Sequence, residues 1–261
     1  MAEEKYDVGT DGGMKIQKGR FGLWFENFWY HYKWHTIITI FVILVVTICT
    51  AQMCSKEEYD VHIIYAGSEN IRGQKKENDL SMYETIYKSL NEAVEDFDGN
   101  GKAISSFEPL YMLTAAEIAE AEKEIADLKA NGEGSYTLSY AQLNENKTTF
   151  KDRTMYSDTY VFLISESLYK EYQTTEYDVP MFVSIKGLVD EGVEVQFFDD
   201  AAVYLHSTEF GKLPGLCDLP ENTLIALRSK GALSSHFNKN DTDEFYANAE
   251  KVIKNMLNYA D

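Results

Sequence analysis

Thr36 to Cys54 is a run of 19 residues without a charge, dominated by Ile, Val, Leu, Phe and Thr. A helix rises 1.5 Å per residue, so a run of this length comes close to the ~30 Å hydrocarbon core of a bilayer. A cleavable signal peptide would have a shorter apolar core, small residues before its cut site, and a charged start close by. A lipoprotein leader needs small residues directly before the modified cysteine. Cys54 instead follows Ala51-Gln52-Met53, and Cys49 follows Val46-Thr47-Ile48. A buried core helix would not carry the aromatic flank that precedes this run. The sequence therefore predicts a permanent transmembrane helix over 36–54.

Before the run, Phe21, Trp24, Phe25, Phe28, Trp29 and Tyr32 recur at helical spacing and fall on one face. Trp and Tyr favour the headgroup zone, where the ring body is buried and its polar atom stays wet. Residues 21–35 are read as an aromatic interfacial helix, or as an extension of the span, with 1–20 as a cytoplasmic tail. Lys18, Arg20 and Lys33 flank the run on its N-terminal side, against Lys56 and Arg72 beyond it. The positive-inside bias then places the N-terminus in the cytoplasm and residues 55–261 outside the cell membrane.

Charge separates the two parts. Residues 1–54 hold five basic and five acidic side chains, so the whole formal net charge of −19 lies beyond the apolar run. An acidic domain of this kind repels phosphate backbones and anionic lipid, which excludes nucleic acid as a partner. Cys217 is the only cysteine past residue 54. No disulfide can form inside the domain, and roughly two hundred residues are enough for one core without such staples. A bridge from Cys54 to Cys217 remains open on paper.

The acidic region reads as one α/β domain, with a largely parallel sheet covered by helices. "YDVHIIYAG" (59–67) is a first strand, and Ser81-Met-Tyr-Glu84 is a capping box opening a helix that continues with Tyr83, Ile86, Tyr87 and Leu90. Residues 102–113 read as a second strand. Thr114-Ala-Ala-Glu117 opens another helix, with Ile118, Ala121, Ile125 and Leu128 on one face and Asn131-Gly132 as its stop. Residues 131–157 read as a loop with a weak helix inside it. "TYVFLIS" (159–165) is a short buried strand that runs into the helix "ESLYKEY". Strand candidates follow at 181–185, 193–198, 201–206 and 222–228. A last helix from Asp241 is expected to turn Phe245, Ala249, Val252, Ile253, Met256 and Ala260 inward. The alternation of strands and helices is the pattern of a parallel, helix-covered sheet.

With its "NFWYHYKWHT" girdle, single span and "YDVHIIYAG" strand, the chain resembles single-pass membrane proteins of clostridia-type Gram-positive bacteria. Its outer domain, where "DTYVFLIS" leads into "ESLYKEY", is similar to extracellular solute-binding proteins. The resemblance implies solute capture next to the membrane. The chain departs from transport-type binding proteins in having a span in place of a lipid anchor, a short domain, and no clear crossover between lobes.

"DFDGNGKAI" (96–104) is the candidate metal site, and calcium is the cofactor it would take. Asp96, Asp98 and Asn100 supply oxygens at loop positions 1, 3 and 5, Gly101 allows the turn at 6, and the Lys102 carbonyl falls at 7. Position 12, where a bidentate carboxylate belongs, is Phe107, with Glu108 one residue late. A solvated turn would favour the same residue types. Ligands of open α/β sheets sit beyond the carboxyl ends of the strands, which makes Gly67, Ser68, Ser165 and Glu166 the candidate ligand-binding residues. Ser165 also suits a simple helix cap.

Ser167-Leu-Tyr-Lys170 matches the Ser-x-x-Lys of penicillin-binding enzymes, but no Lys-Thr-Gly follows and the order of motifs is wrong. His62, His206 and His236 stand apart from one another in sequence. The reading favoured is a membrane-anchored, extracytoplasmic binding or accessory domain without catalysis, holding a small solute or a membrane-protein partner near the bilayer. A structural subunit of an envelope or transporter complex is the alternative, and an unrecognised hydrolase the second.

Overall fold

The computed structural model describes residues 7–8, 14–15, 19–54, 59–72, 81–132, 137–156, 159–173, 180–230 and 239–260, in two units that divide after Glu57. In the first unit, Asp7–Val8 and Met14–Lys15 pair as a short antiparallel ladder. Helix α1, Arg20–Cys54, carries the aromatic stretch and the apolar run as one unbroken rod of 35 residues. Of the two readings of 21–35, the structure has the extension. Within α1, residues Asn27–Ala51 are long and apolar enough to cross a membrane, and their most apolar 18-residue stretch has a mean hydropathy of 2.2.

Two features suit α1 to an apolar surrounding. Thr47 and Thr50 donate their hydroxyls to the carbonyls of Ile43 and Val46, both at 2.8 Å, so neither polar group needs an outside partner. The aromatics stack along the helix at i,i+4, with Trp24–Phe28, Phe25–Trp29 and Phe28–Tyr32 centroids 5.4 to 6.0 Å apart.

The second unit is a seven-stranded mixed sheet between two helical layers. Its strands are β1 (Val61–Gly67), β2 (Ser105–Tyr111), β3 (Val161–Ser165), β4 (Phe182–Val183), β5 (Phe197–Asp199), β6 (Ala202–Tyr204) and β7 (Thr223–Arg228). The order is β2-β1-β3-β7-β6-β5, with β4 also paired to β7. β1 is parallel to β2 and to β3, whereas β7 runs antiparallel to β3, β4 and β6, and β5 antiparallel to β6. The expected parallel sheet thus holds for the first half of the domain. In the second half β5 and β6 form a hairpin around the short turn Asp200-Ala201, too short for the crossover that a parallel return needs, and β7 runs against each of its neighbours.

Strand alternation assigns the two cores. Val61, Ile63 and Tyr65, with Val161, Leu163, Ile225 and Leu227, face α2 (Met82–Asn91) and the C-terminal helix. Ile64, Ala66, Phe162, Ile164, Leu224 and Ala226 face the other way, onto Phe150 of α4 (Tyr140–Tyr156) and Leu168 and Tyr169 of α5 (Glu166–Glu171). Every residue of β3 is buried, as a strand covered on both faces must be. Both predicted capping boxes are present, Ser81 with Glu84 at α2 and Thr114 with Glu117 at α3 (Ala115–Ala130).

Several boundaries differ from the sequence reading. β2 starts at Ser105, because 102–104 belong to the acidic turn. The weak helix expected within 131–157 is α4, 17 residues long, fixed by burial of Leu143 and Phe150. Three of the four later strand candidates shorten to two or three residues. The C-terminal helix, α6, spans Lys239–Leu257 and buries Ala249, Val252, Ile253, Met256 and Leu257. Ala260 lies past its end and is exposed, so Leu257 fills the place expected of it.

Candidate functional site

From β1 the chain passes through α2 on one face of the sheet to β2, then through α3 and α4 to β3, with α4 packed on the other face through Phe150. β2 and β3 therefore flank β1, and the connections diverge between β1 and β3. Such a topological switch point opens a crevice beyond the carboxyl ends of the strands. Gly67 and Ser165 lie on its two sides, one residue past or at the end of the parallel pairing of Ala66 with Ile164. Ser165 in turn faces Thr223 across the antiparallel pair of β3 and β7.

Alternation puts Gly67, Ser165 and Thr223 on the α2 face, in the row above Tyr65, Leu163 and Ile225. The Tyr65 phenol leans over Gly67, where an added Cβ would lie 2.6 Å from the hydroxyl. That hydroxyl accepts the Glu69 N–H at 3.2 Å. Burial pushes the Tyr65 phenol well above the usual tyrosine range; the bond from the Glu69 N–H offsets part of this, and the Glu69 and Glu117 carboxylates add to it. Tyr111, at the end of β2, is raised by burial and by the same two carboxylates.

Glu117 closes the crevice. Its Oε2 accepts the Thr114 N–H and hydroxyl at 2.7 and 2.9 Å, while its Oε1 accepts the Ser167 hydroxyl at 2.7 Å. α3 follows β2 and α5 follows β3, so this bridge crosses the end of β1, whose last residue, Gly67, has no side chain to obstruct it. The Ser165 hydroxyl is 3.1 Å from that of Ser167 and accepts the Leu168 N–H at 3.4 Å.

Of the four residues expected here, the structure brings Gly67 and Ser165 together. Ser68 is exposed. Glu166 turns away to accept from Lys170 and, at 2.9 Å, from the Tyr204 hydroxyl. The Lys170 bond first, and then the Tyr204 bond, hold its carboxyl below the ordinary glutamate range. Tyr65, Glu117, Ser167 and Thr223 were not found from sequence as site residues. Glu117 was visible only as a capping residue, and the others needed the register. The Ser167–Lys170 pair of the penicillin-binding pattern is split between Glu117 and Glu166, which removes any nucleophile–base contact there.

The acidic turn lies at the opposite end of the sheet, before β1 and β2, about 20 Å away along a seven-residue strand. Asp96 accepts from the N–H groups of Asn100 and Gly101, Asp98 from the N–H and side-chain amide of Asn100, and Asn100 from the N–H of Lys102. Burial works against ionisation of Asp96, but the bonds from Gly101, Asp98, Gly99 and Asn100 outweigh it and lower its pKa. Sequence reading missed Asp60, whose carboxylate lies with those of Asp96 and Asp98 within 4.8 Å of one another. Asp60 is buried and accepts three backbone N–H groups, from Phe97 (2.7 Å), Asp98 (3.3 Å) and Ile104 (2.9 Å). Phe107 at loop position 12 is in the core, stacked on Tyr83, and Glu108 is paired with Arg153 at 2.7 Å. Neither supplies a ligand to the turn. His206 is held by the Leu219 carbonyl at 2.9 Å, and His236 lies outside the described residues.

Compared with known proteins, the chain matches no family model, no curated protein and no solved structure.

Proposed function

We propose that the chain is a single-pass, membrane-anchored protein of the cell surface, whose acidic domain stands outside the membrane and binds a small solute without transforming it. The observation that carries this reading is the switch point between β1 and β3, where Gly67 and Ser165 follow the last parallel pair and the Ser167 hydroxyl bonds Glu117. Helix α1 supports the anchor by its length and apolarity, and its aromatic girdle suits the headgroup zone. The bias of Lys18, Arg20 and Lys33 supports an inward N-terminus. The resemblance to clostridia-type surface proteins with solute-binding-like domains agrees with this reading.

Two experiments test it. External protease on intact cells should remove the acidic domain; survival until lysis would refute the orientation. The full chain in detergent, screened against a solute panel, should melt at a higher temperature with one class of solute, because a ligand that binds only the folded state stabilises it. All three tryptophans lie in α1, so far-UV circular dichroism must follow the domain in place of tryptophan emission.

The grouping of Asp60, Asp96 and Asp98 favours a second, compatible reading, in which the turn takes calcium as a structural ion of low affinity. Calcium should then raise the melting temperature where magnesium at equal concentration does not. Equal shifts with the two ions would sink this reading.

A further inference from the structure

Helix α3 differs from the helices around it in how little of it is buried. Its 16 residues include no buried side chain, whereas the ten of α2 bury Met82, Ile86, Ser89 and Leu90, and α6 buries Val252, Ile253 and Met256. The apolar stripe of α3, formed by Ile118, Ala121, Ile125 and Leu128, is only half-buried at every position. A helix of this length is marginal in water, and in a protein its stability comes from an apolar face packed into the core. α3 has the stripe without the core.

Its polar ties are as few. Among the described residues, two side chains of α3 bond to groups beyond its own cap: Glu117 to the Ser167 hydroxyl and Glu122 to the Tyr140 hydroxyl. Tyr140 is exposed, so water competes for that bond. The Glu117–Ser167 bond is stronger, because it is charge-assisted, 2.7 Å long and half-buried on both sides. It joins the first turn of α3 to the first turn of α5. Leu168 and Tyr169 fasten α5 in the core, and Leu143 and Phe150 fasten α4. When the bond breaks, α3 is therefore the element free to leave. Its five acidic side chains against two basic ones favour departure from a domain that is already strongly acidic.

We infer that α3 is a strap that lifts from the domain as one unit while the sheet, α4 and α5 stay folded, with the Glu117–Ser167 bond as its latch. Local opening of this kind is drawn from the least buried parts of a structure. Lifting the strap parts the two side chains that meet across the end of β1. As a gate over the strand ends, the strap rests on the solute-binding reading above; its motion needs no solute and is tested without one.

The test is hydrogen–deuterium exchange, read by mass spectrometry on the full chain in detergent with no ligand added. The amides of 119–130 should show nearly uniform protection, about 100-fold below that of β3. Ser167→Ala removes the latch and leaves the cap of α3 intact. It should lower the protection of both halves of α3 about tenfold or more, with β3 and α4 unchanged. Glu117→Ala should act in the same direction, so that the failure of one variant to fold leaves the other to decide. Protection of α3 equal to that of β3 overturns the proposal, as does protection that falls steadily toward Asn131, the mark of a fraying end. No response to either variant, or an equal loss in α3, β3 and α4, overturns it as well. A silent solute panel with an opening α3 refutes the solute reading and the gate but leaves the strap. A responding panel with a fully protected α3 refutes the strap and leaves the solute reading.

Discussion

Asp60 offers the sharpest test of how the domain is built. Its carboxylate is buried where β1 begins and holds the turn before β2 through three backbone N–H groups. Oδ1 serves Phe97 and Asp98, and Oδ2 serves Ile104, which also accepts the Asp60 N–H at 2.9 Å. A hydrogen bond to a charged acceptor contributes about 1.5–3 kcal/mol, and the donors left behind in the interior lose water as well. The 3.3 Å bond from Asp98 counts for little, so Asp60→Ala should cost about 3–5 kcal/mol. Asp60→Asn keeps one carbonyl oxygen for Phe97 but turns an amide N–H₂ toward the Ile104 N–H, and should cost about 2 kcal/mol. For a domain of this size each kcal/mol moves the melting temperature by about 2–4 °C. The alanine variant should therefore melt about 6–20 °C lower, and the asparagine variant between it and the parent. Far-UV circular dichroism melts in chelator, without calcium, isolate this structural effect. A loss under 2 °C for Asp60→Ala would show that the turn does not depend on Asp60. An asparagine variant no better than alanine would refute the division of labour between its oxygens.

Other expectations follow from the same geometry. Gly67→Ala puts a methyl 2.6 Å from the Tyr65 hydroxyl and should cost about 1–3 kcal/mol by chemical denaturation; Tyr65→Phe in the same chain should recover part of that loss. At Gly211 a Cβ would meet the Leu205 carbonyl oxygen at 2.1 Å, a backbone clash that no side-chain motion relieves, so Gly211→Ala should destabilise at least as much. Thr114→Ala removes the cap of α3 and should cost about 1 kcal/mol. The Glu166 carboxyl, lowered first by Lys170 and then by Tyr204, should titrate below the ordinary 4.5 by NMR. Because its folded pKa is depressed, its contribution to stability is present above the unfolded value and is lost as pH falls through the folded one. Lys170→Met should return the titration toward 4.5, and an unchanged midpoint would contradict the assigned cause.

Much of the second unit was legible from local signals. Both capping boxes, the stop at Asn131-Gly132 and the buried strands Val61–Gly67, Val161–Ser165 and Thr223–Arg228 depend on contacts within a few residues of one another. α4 was underestimated because, among its described residues, Leu143 and Phe150 alone are buried, and their burial depends on a sheet that local sequence does not describe. Ala260 was misplaced for the opposite reason, since the helical period continues in sequence after the helix itself has stopped. In the acidic turn, Asp96, Asp98 and Asn100 were readable from their spacing, whereas Asp60, more than thirty residues earlier, reaches them only because β1 and β2 pair in register from Val61 and Ser105.

By itself, the sequence determined that one end of this chain is an uncharged helix of membrane-crossing length and the other an acidic α/β domain. Hydrophobic run length, charge and capping chemistry are properties of neighbouring residues. Tertiary structure decided where the antiparallel half of the sheet begins, and that Gly67, Ser165 and Thr223 form one row. It also decided that Glu117 leaves the role of a simple cap to reach Ser167 across the end of β1. These depend on strand order and register, which long-range packing selects among the many pairings that the same local pattern would allow.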